Sequence, residues 1–282
     1  MPEMPEVEVL ARQLRPFIRG KTIRAAKVYR ERSTRPTPPR EFQKKLTGAK
    51  FKALGRRGKY LLFEFQSKNS KETFTVLGHL GMTGRMFGAG KREKLPKHAA
   101  VVLDLGGHNF IFEDWRYFGR MSLDLSPIEA LGPEPLDKTF SPELFWKSLK
   151  KSRQSIKVKL LDQGLIAGVG NIYASEALNR ARISPKLPAN RLTFAQAKKL
   201  LHAIRDVLDE SIKAGSTVAL KAAEEKSGAL FYFDGDDQGY YERRLRVYDR
   251  AGKPCLNCRG KIVRITQAAR STYFCLNCQR AR

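Results

Sequence analysis

Two groups of residues could do chemistry. Cys255, Cys258, Cys275 and Cys278 form two CxxC pairs separated by sixteen residues, and they are the chain's four cysteines. Two such knuckles present four thiolates as a tetrahedral set for Zn²⁺; an iron–sulfur site or two disulfides are the alternatives. Four protein ligands leave no open coordination position, so the metal would be structural, supplying folding free energy to a module too small for a core of its own. At the other end, Pro2 and Glu3 follow Met1 directly. Methionine before a small residue is commonly removed, which would expose Pro2 as an N-terminal secondary amine. Such an amine titrates near neutrality and can attack a sugar carbon to form an iminium. The positive end of the first helix would lower its pKa further and favour a nearby phosphate. Glu3 is placed to act as acid or base. The competing reading is that Pro2-Glu3 only starts a helix.

Other candidates are less specific one by one. Lys59 in "GRRGKYLL", His79 in "GHLGMTGRM", and Arg116 and Phe118 in "DWRYFG" lie in or beside β-like runs. Singly they read as a solvated lysine, a scaffold histidine and a core phenylalanine. "AGVGNIYASE" sets glycines before a helix, where backbone N–H groups and the dipole favour an anion. Asn171 could add a donor there, and Lys157 and Lys159 supply positive charge; a tight interhelix turn explains the same glycines.

Composition favours a polyanionic partner. The chain has 282 residues, 54 Lys and Arg against 28 Asp and Glu, and a net charge of +26. Nucleic acid leads. A membrane surface is weaker, because no long amphipathic basic helix or lipidation motif is present. No apolar run is long enough to span a bilayer, and the early acids do not resemble a signal peptide. Paired cysteines confined to the last 28 residues suit a metal site in a reducing compartment.

These residues need elements to hold them. Apolar positions from Pro5 to Ile18 fall on one helical face. The runs "TIRAAKVY", "KYLLFEF", "TFTVLGHL", "AVVLDL" and "FIFED" follow, the last two joined as a hairpin by "GGHN". Residues 1–130 thus read as a helix plus a mostly antiparallel β-sandwich or barrel. Helices then take over: one capped by Ser141 with Pro142 at its first position, one over 155–163, one in "NIYASEALNRA", and a long one running from a Thr193/Gln196 capping box to about Ala214. Residues 216–242 read as a long loop. From Arg243 to Arg282 there are eleven basic residues and one acid, a separate cationic module with β-like residues on both sides of a turn.

Taken together, "MPEMPEVE", "GRRGKYLL", "GHLGMTG", "DWRYFG", "LGPEPL", "GVGNIYASE" and the four-cysteine ribbon resemble the formamidopyrimidine-DNA glycosylase family from end to end. The resemblance implies an α+β multidomain fold: an N-terminal helix plus antiparallel β-sandwich over 1–135, a helix–two-turns–helix domain with a base-capping loop over 136–242, and a C-terminal zinc-finger hairpin over 243–282. It implies a glycosylase and abasic-site lyase for oxidised purines, acting as a monomer on double-stranded DNA in the bacterial cytoplasm, with one structural zinc per chain and no membrane partner. By similarity Pro2 is the Schiff-base nucleophile, Glu3 its acid/base partner and Lys59 the essential lysine near the lesion phosphates. Met82, Arg116 and Phe118 match the residues that fill the hole left by an extruded base. His79, Lys157, Asn171 and Arg270 are DNA-binding positions. Two departures stand out: Tyr117 occupies a position that is often basic, and Lys221 to Tyr240 looks longer and more acidic than the family's capping loop. The alternatives are an endonuclease VIII-like enzyme for oxidised pyrimidines and a non-catalytic zinc-ribbon DNA-binding protein.

Overall fold

The computed structural model describes residues 2–215 and 244–280, and the backbone of strands 218–221 and 232–238. The described residues fall into two compact units. One holds Pro2, residues 6–129 and the two strands after position 217; the other holds 3–5, 130–215 and 244–280.

Helix α1 (Met4–Ile18), which belongs to the first unit from Glu6 onward, turns Val7, Leu10, Ala11, Leu14 and Ile18 into the core, as the spacing requires. Strand β1 (Ala25–Val28) and a short helix α2 (Pro39–Leu46) follow. Then come β2 (Lys50–Arg57), β3 (Tyr60–Gln66), β4 (Thr73–His79), β5 (Arg85–Gly90), β6 (Ala99–Asp104), β7 (His108–Glu113), β8 (Arg120–Ser122) and a single helical turn α3 (Ser126–Glu129). All pairings are antiparallel, in two four-stranded sheets of order β1-β6-β7-β5 and β2-β3-β4-β8. Their inner faces share one core. On β3 alternate residues Leu61, Phe63 and Phe65 point inward, and the Phe63 ring meets Phe110 of the other sheet at 5.7 Å. The expected β6–β7 hairpin forms.

The sequence reading assigns neither α2, β2 and β5 nor the short β8 and α3. Strand β2 carries a register shift between Phe51 and Ala53, which breaks the alternation. Strand β5 carries Gly88 and Gly90, which weaken a strand signal. A side chain at Gly88 would have to displace the outer edge of the Phe17 ring.

The second unit is built on helices α4 (Pro142–Lys150), α5 (Ile156–Leu160), α6 (Asn171–Ala181) and α7 (Phe194–Lys213). Ser141 caps α4, accepting from the Leu144 N–H at 3.3 Å, and Thr193 and Gln196 form both bonds of the capping box. On α7, Leu200, Leu201, Ile204, Val207, Leu208 and Ile212 are all buried.

The loop expected over 216–242 is corrected in part. Strands β9 (Val218–Lys221) and β10 (Tyr232–Gln238) pair antiparallel within it. The rest of that segment, including most of the acidic stretch 221–240, lies outside the described residues. Strands β11 (Ile262–Gln267) and β12 (Arg270–Cys275) form the C-terminal hairpin, turning through Ala268 and Ala269, both at positive φ. Among the described residues no helix is long and apolar enough to cross a membrane.

Candidate functional site

Each unit contributes its own constellation. In the second, Glu3 is 1% exposed. Its carboxylate accepts the Ile172 N–H at 2.8 Å and the Tyr173 N–H at 3.5 Å, at the start of α6. The neighbouring Met4 N–H donates to the Gly168 carbonyl at 3.1 Å. The anion at this helix start is therefore the protein's own, held by backbone donors and the helix dipole. The glycine before the helix has a steric purpose: a Cβ on Gly170 would collide with the Glu3 carboxylate.

Asn171 is also committed internally. Its Nδ2 donates to the Ser271 carbonyl at 2.9 Å, and its Oδ1 accepts from Lys157 Nζ at 2.6 Å. Lys157, expected at a DNA surface, is fully buried, with Nζ also on the Asn171 carbonyl at 3.0 Å. The sequence reading missed Tyr248, which lies among Glu3, Asn171 and Tyr273. Burial pushes its phenol pKa up and the Glu3 charge adds to this, while a hydrogen bond with Asn171 opposes them; its hydroxyl is a donor at neutral pH. No local motif marks Tyr248. Arg270 is exposed beside the Ala268–Ala269 turn.

The four cysteines meet as their spacing predicts. Their Sγ atoms all lie within 4.8 Å of one another, with Cys255 to Cys278 at 4.0 Å and Cys258 to Cys275 at 3.5 Å. Zinc–sulfur bonds of about 2.3 Å in a tetrahedron require sulfurs about 3.8 Å apart. The set fits Zn²⁺ and fills its coordination.

In the first unit Pro2 is half-buried. Gly58 and Lys59 form the two-residue turn between β2 and β3, with Gly58 at φ 55°. His79, at the end of β4, pairs with Tyr60, the ring centroids 4.7 Å apart. Burial, then the charges of Lys59 and Arg120, lowers its pKa to about 4. His79 is thus neutral at pH 7. Its Nδ1 accepts the Gly81 N–H at 3.2 Å, which leaves the proton on Nε2.

Met82, Arg116 and Phe118 are exposed, the two apolar side chains at 39% and 43%. The Arg116 guanidinium lies over the Phe118 ring at 4.9 Å and near the Trp115 ring at 5.9 Å. Large apolar side chains in solvent beside a guanidinium suit insertion into a base stack. Tyr117, between them in sequence, has φ 55° and is held at its edge by His98 Nδ1 at 3.3 Å and on its face by Arg30 at 5.4 Å.

Three family models match the chain in order: the formamidopyrimidine-DNA glycosylase N-terminal domain over 1–121, the formamidopyrimidine-DNA glycosylase H2TH domain over 131–222, and a zinc finger found in FPG and IleRS over 252–281. The chain belongs to the formamidopyrimidine-DNA glycosylase family. Curated formamidopyrimidine-DNA glycosylases include one from Carboxydothermus hydrogenoformans, 40% identical over 99% of this chain and all of its own, and one from Chloroflexus aurantiacus, 42% identical over 99% and 98%. Among solved structures, a Lactococcus lactis formamidopyrimidine-DNA glycosylase bound to abasic-site DNA superposes with a TM-score of 0.86, at 32% identity over 99% of this chain and 100% of that one. The fold read from the sequence is the family's, and the four-cysteine cluster is the family's structural zinc site.

Proposed function

We propose that the protein is a bifunctional DNA glycosylase and abasic-site lyase of base-excision repair that removes oxidised purines. The observation that carries this is the Glu3 carboxylate, buried and pinned to the start of α6, one peptide bond from Pro2, in a chain similar to these enzymes along its whole length.

In this reading the Pro2 amine, freed by removal of Met1, attacks C1′ of the extruded nucleotide. The C1′–N bond breaks and the base leaves with a proton, giving an aminal, and the iminium forms when the C1′–O4′ bond then breaks. Glu3 handles the proton at the ring oxygen as the deoxyribose opens. The iminium acidifies the C2′ proton, and its loss expels the 3′-oxygen; a second elimination expels the 5′-oxygen. Lys59 and neutral His79 meet phosphates flanking the lesion. Met82 and Phe118 fill the gap in the stack, and Arg116 bonds the orphaned partner base. Arg270 holds the backbone, and Asn171 joins it by exchanging its bond to the Ser271 carbonyl for a phosphate oxygen while Lys157 supports it from within. Three functional domains, 1–135, 136–242 and 243–282, suit this division of labour. A monomer acting in the bacterial cytoplasm, on the nucleoid DNA, is the setting.

Borohydride trapping on a duplex with 8-oxoguanine opposite cytosine tests it. A covalent adduct should form, weaken in Pro2→Gly and vanish when an extra residue precedes Pro2. An enzyme with a free Pro2 that forms no adduct would overturn the catalytic reading. Faster excision of thymine glycol than of 8-oxoguanine would shift the substrate to oxidised pyrimidines.

A further inference from the structure

Asp114 takes no part in the chemistry above, yet it is completely buried beneath the exposed residues that enter the base stack. Its Oδ1 accepts the Thr83 hydroxyl at 2.6 Å and the Arg116 N–H at 3.2 Å, and its Oδ2 accepts the Gly119 N–H at 2.6 Å. One carboxylate therefore ties together two loops far apart in sequence, one carrying Met82 and the other carrying Arg116 and Phe118. The loops also meet main chain to main chain. A Cβ on Gly81, at φ 62°, would lie 2.6 Å from the Gly119 nitrogen, and one on Gly119 would lie 2.9 Å from the His79 carbonyl oxygen. Arg120 closes the second loop from below, its Nη1 donating to the Tyr117 and Gly119 carbonyls at 3.1 and 2.7 Å.

We infer that Asp114 is a positioning residue that joins these two loops into one wedge, so that Met82, Arg116 and Phe118 enter the duplex as a unit. The inference rests on the glycosylase reading. Extrusion of a paired nucleotide costs a few kcal/mol, which the inserted side chains offset. Side chains on two independently moving loops would lose part of that gain in being ordered at the moment of insertion. Asp114 orders them beforehand. A carboxylate suits the task because both oxygens accept; an amide at this position would turn a donor toward another donor.

The consequence is specific to the step. Removing the link should slow the opening of a stacked pair more than the elimination chemistry at a sugar that carries no base. Thr83→Val deletes one hydroxyl at nearly constant volume, Thr83→Ser keeps the hydroxyl, and Asp114→Asn disturbs the acceptor set without a cavity. Single-turnover excision of 8-oxoguanine from a paired duplex is compared with cleavage of the same duplex bearing an abasic site. Thr83→Val and Asp114→Asn should each lower excision about tenfold, as loss of one charge-assisted hydrogen bond would, while abasic cleavage changes less than about threefold. Thr83→Ser should restore excision. Parallel loss of both activities together with a lower Tm would reduce Asp114 to scaffold. No loss of either would mean that backbone packing alone holds the wedge. A wild-type protein inactive on both substrates would sink the glycosylase reading and this inference with it.

Discussion

Gly170 has no side chain because Glu3 occupies the space one would need. A residue that looks like a turn former is in this way part of how the acid is placed. Gly170→Ala must push the carboxylate off the Ile172 and Tyr173 N–H groups, leaving buried donors without it. The expected cost is about 1–3 kcal/mol of stability with a much larger loss of lyase activity, read by thermal denaturation and by trapping yield. His79 illustrates a different single-residue effect. Its pKa in the fold, about 4, lies below the ordinary histidine value of 6.5, because burial and the facing charges of Lys59 and Arg120 disfavour the imidazolium. The unfolded chain therefore binds more protons between those values. The stability His79 contributes is complete above pH 6.5 and is lost as pH falls toward 4. His79→Gln should flatten the Tm-against-pH curve in that window; an unchanged slope would assign the acid sensitivity elsewhere.

Among the elements, α6 does the most. Its start holds Glu3, and its remaining turns anchor the zinc-bearing segment of the same unit. Glu176, almost entirely buried, accepts the N–H groups of Arg246, Val247 and Tyr248 at 2.8 to 3.0 Å. Burial pushes its carboxyl pKa up, and these three donors oppose the shift. Gln279, also buried, accepts from Asn179 Nδ2 at 2.9 Å and from the Cys275 N–H at 3.0 Å, and donates to the Ile183 carbonyl at 3.0 Å. These bonds fix the second knuckle to the helix that carries Asn171. Gln279→Ala removes three buried bonds, for an expected loss of about 2–4 kcal/mol and faster zinc release to a chelator, measured by denaturation and a colorimetric zinc assay.

At the scale of the molecule, charge and metal dominate. A net +26 gives a sequence-independent grip on duplex DNA that must weaken steeply with salt. Each phosphate contact contributes about −0.9 to the slope of log K against log salt, so Arg270→Ala should make that slope shallower by about one while weakening binding to damaged and undamaged duplex alike. Chelation should release one zinc per chain and reduce DNA affinity, because the hairpin that bears Arg270 is held by the four thiolates. A metal-free protein that still binds DNA normally would contradict that linkage.

Much of this was legible in residue order alone. The two CxxC pairs specify a zinc site because tetrahedral ligation demands two short knuckles and a spacer. The caps at Ser141 and Thr193 and the apolar face of α7 follow from local bonding and period, and they formed as read. Strands β2 and β5 were hidden because a bulge and two glycines erase the alternation that marks a strand. The partners of Lys157, Asn171, Tyr248 and Asp114 were not legible at all. Each has at least one partner 14 or more positions away, such as Asn171 for Lys157, Ser271 for Asn171, Glu3 for Tyr248 and Thr83 for Asp114, whose approach exists only once the core has folded. The sequence by itself determined which groups are present and which helices and knuckles carry them. The tertiary structure decided that the helix-start anion is Glu3, that Lys157 is buried, and that one carboxylate joins two loops, since burial and backbone hydrogen bonding depend on contacts that no local pattern encodes.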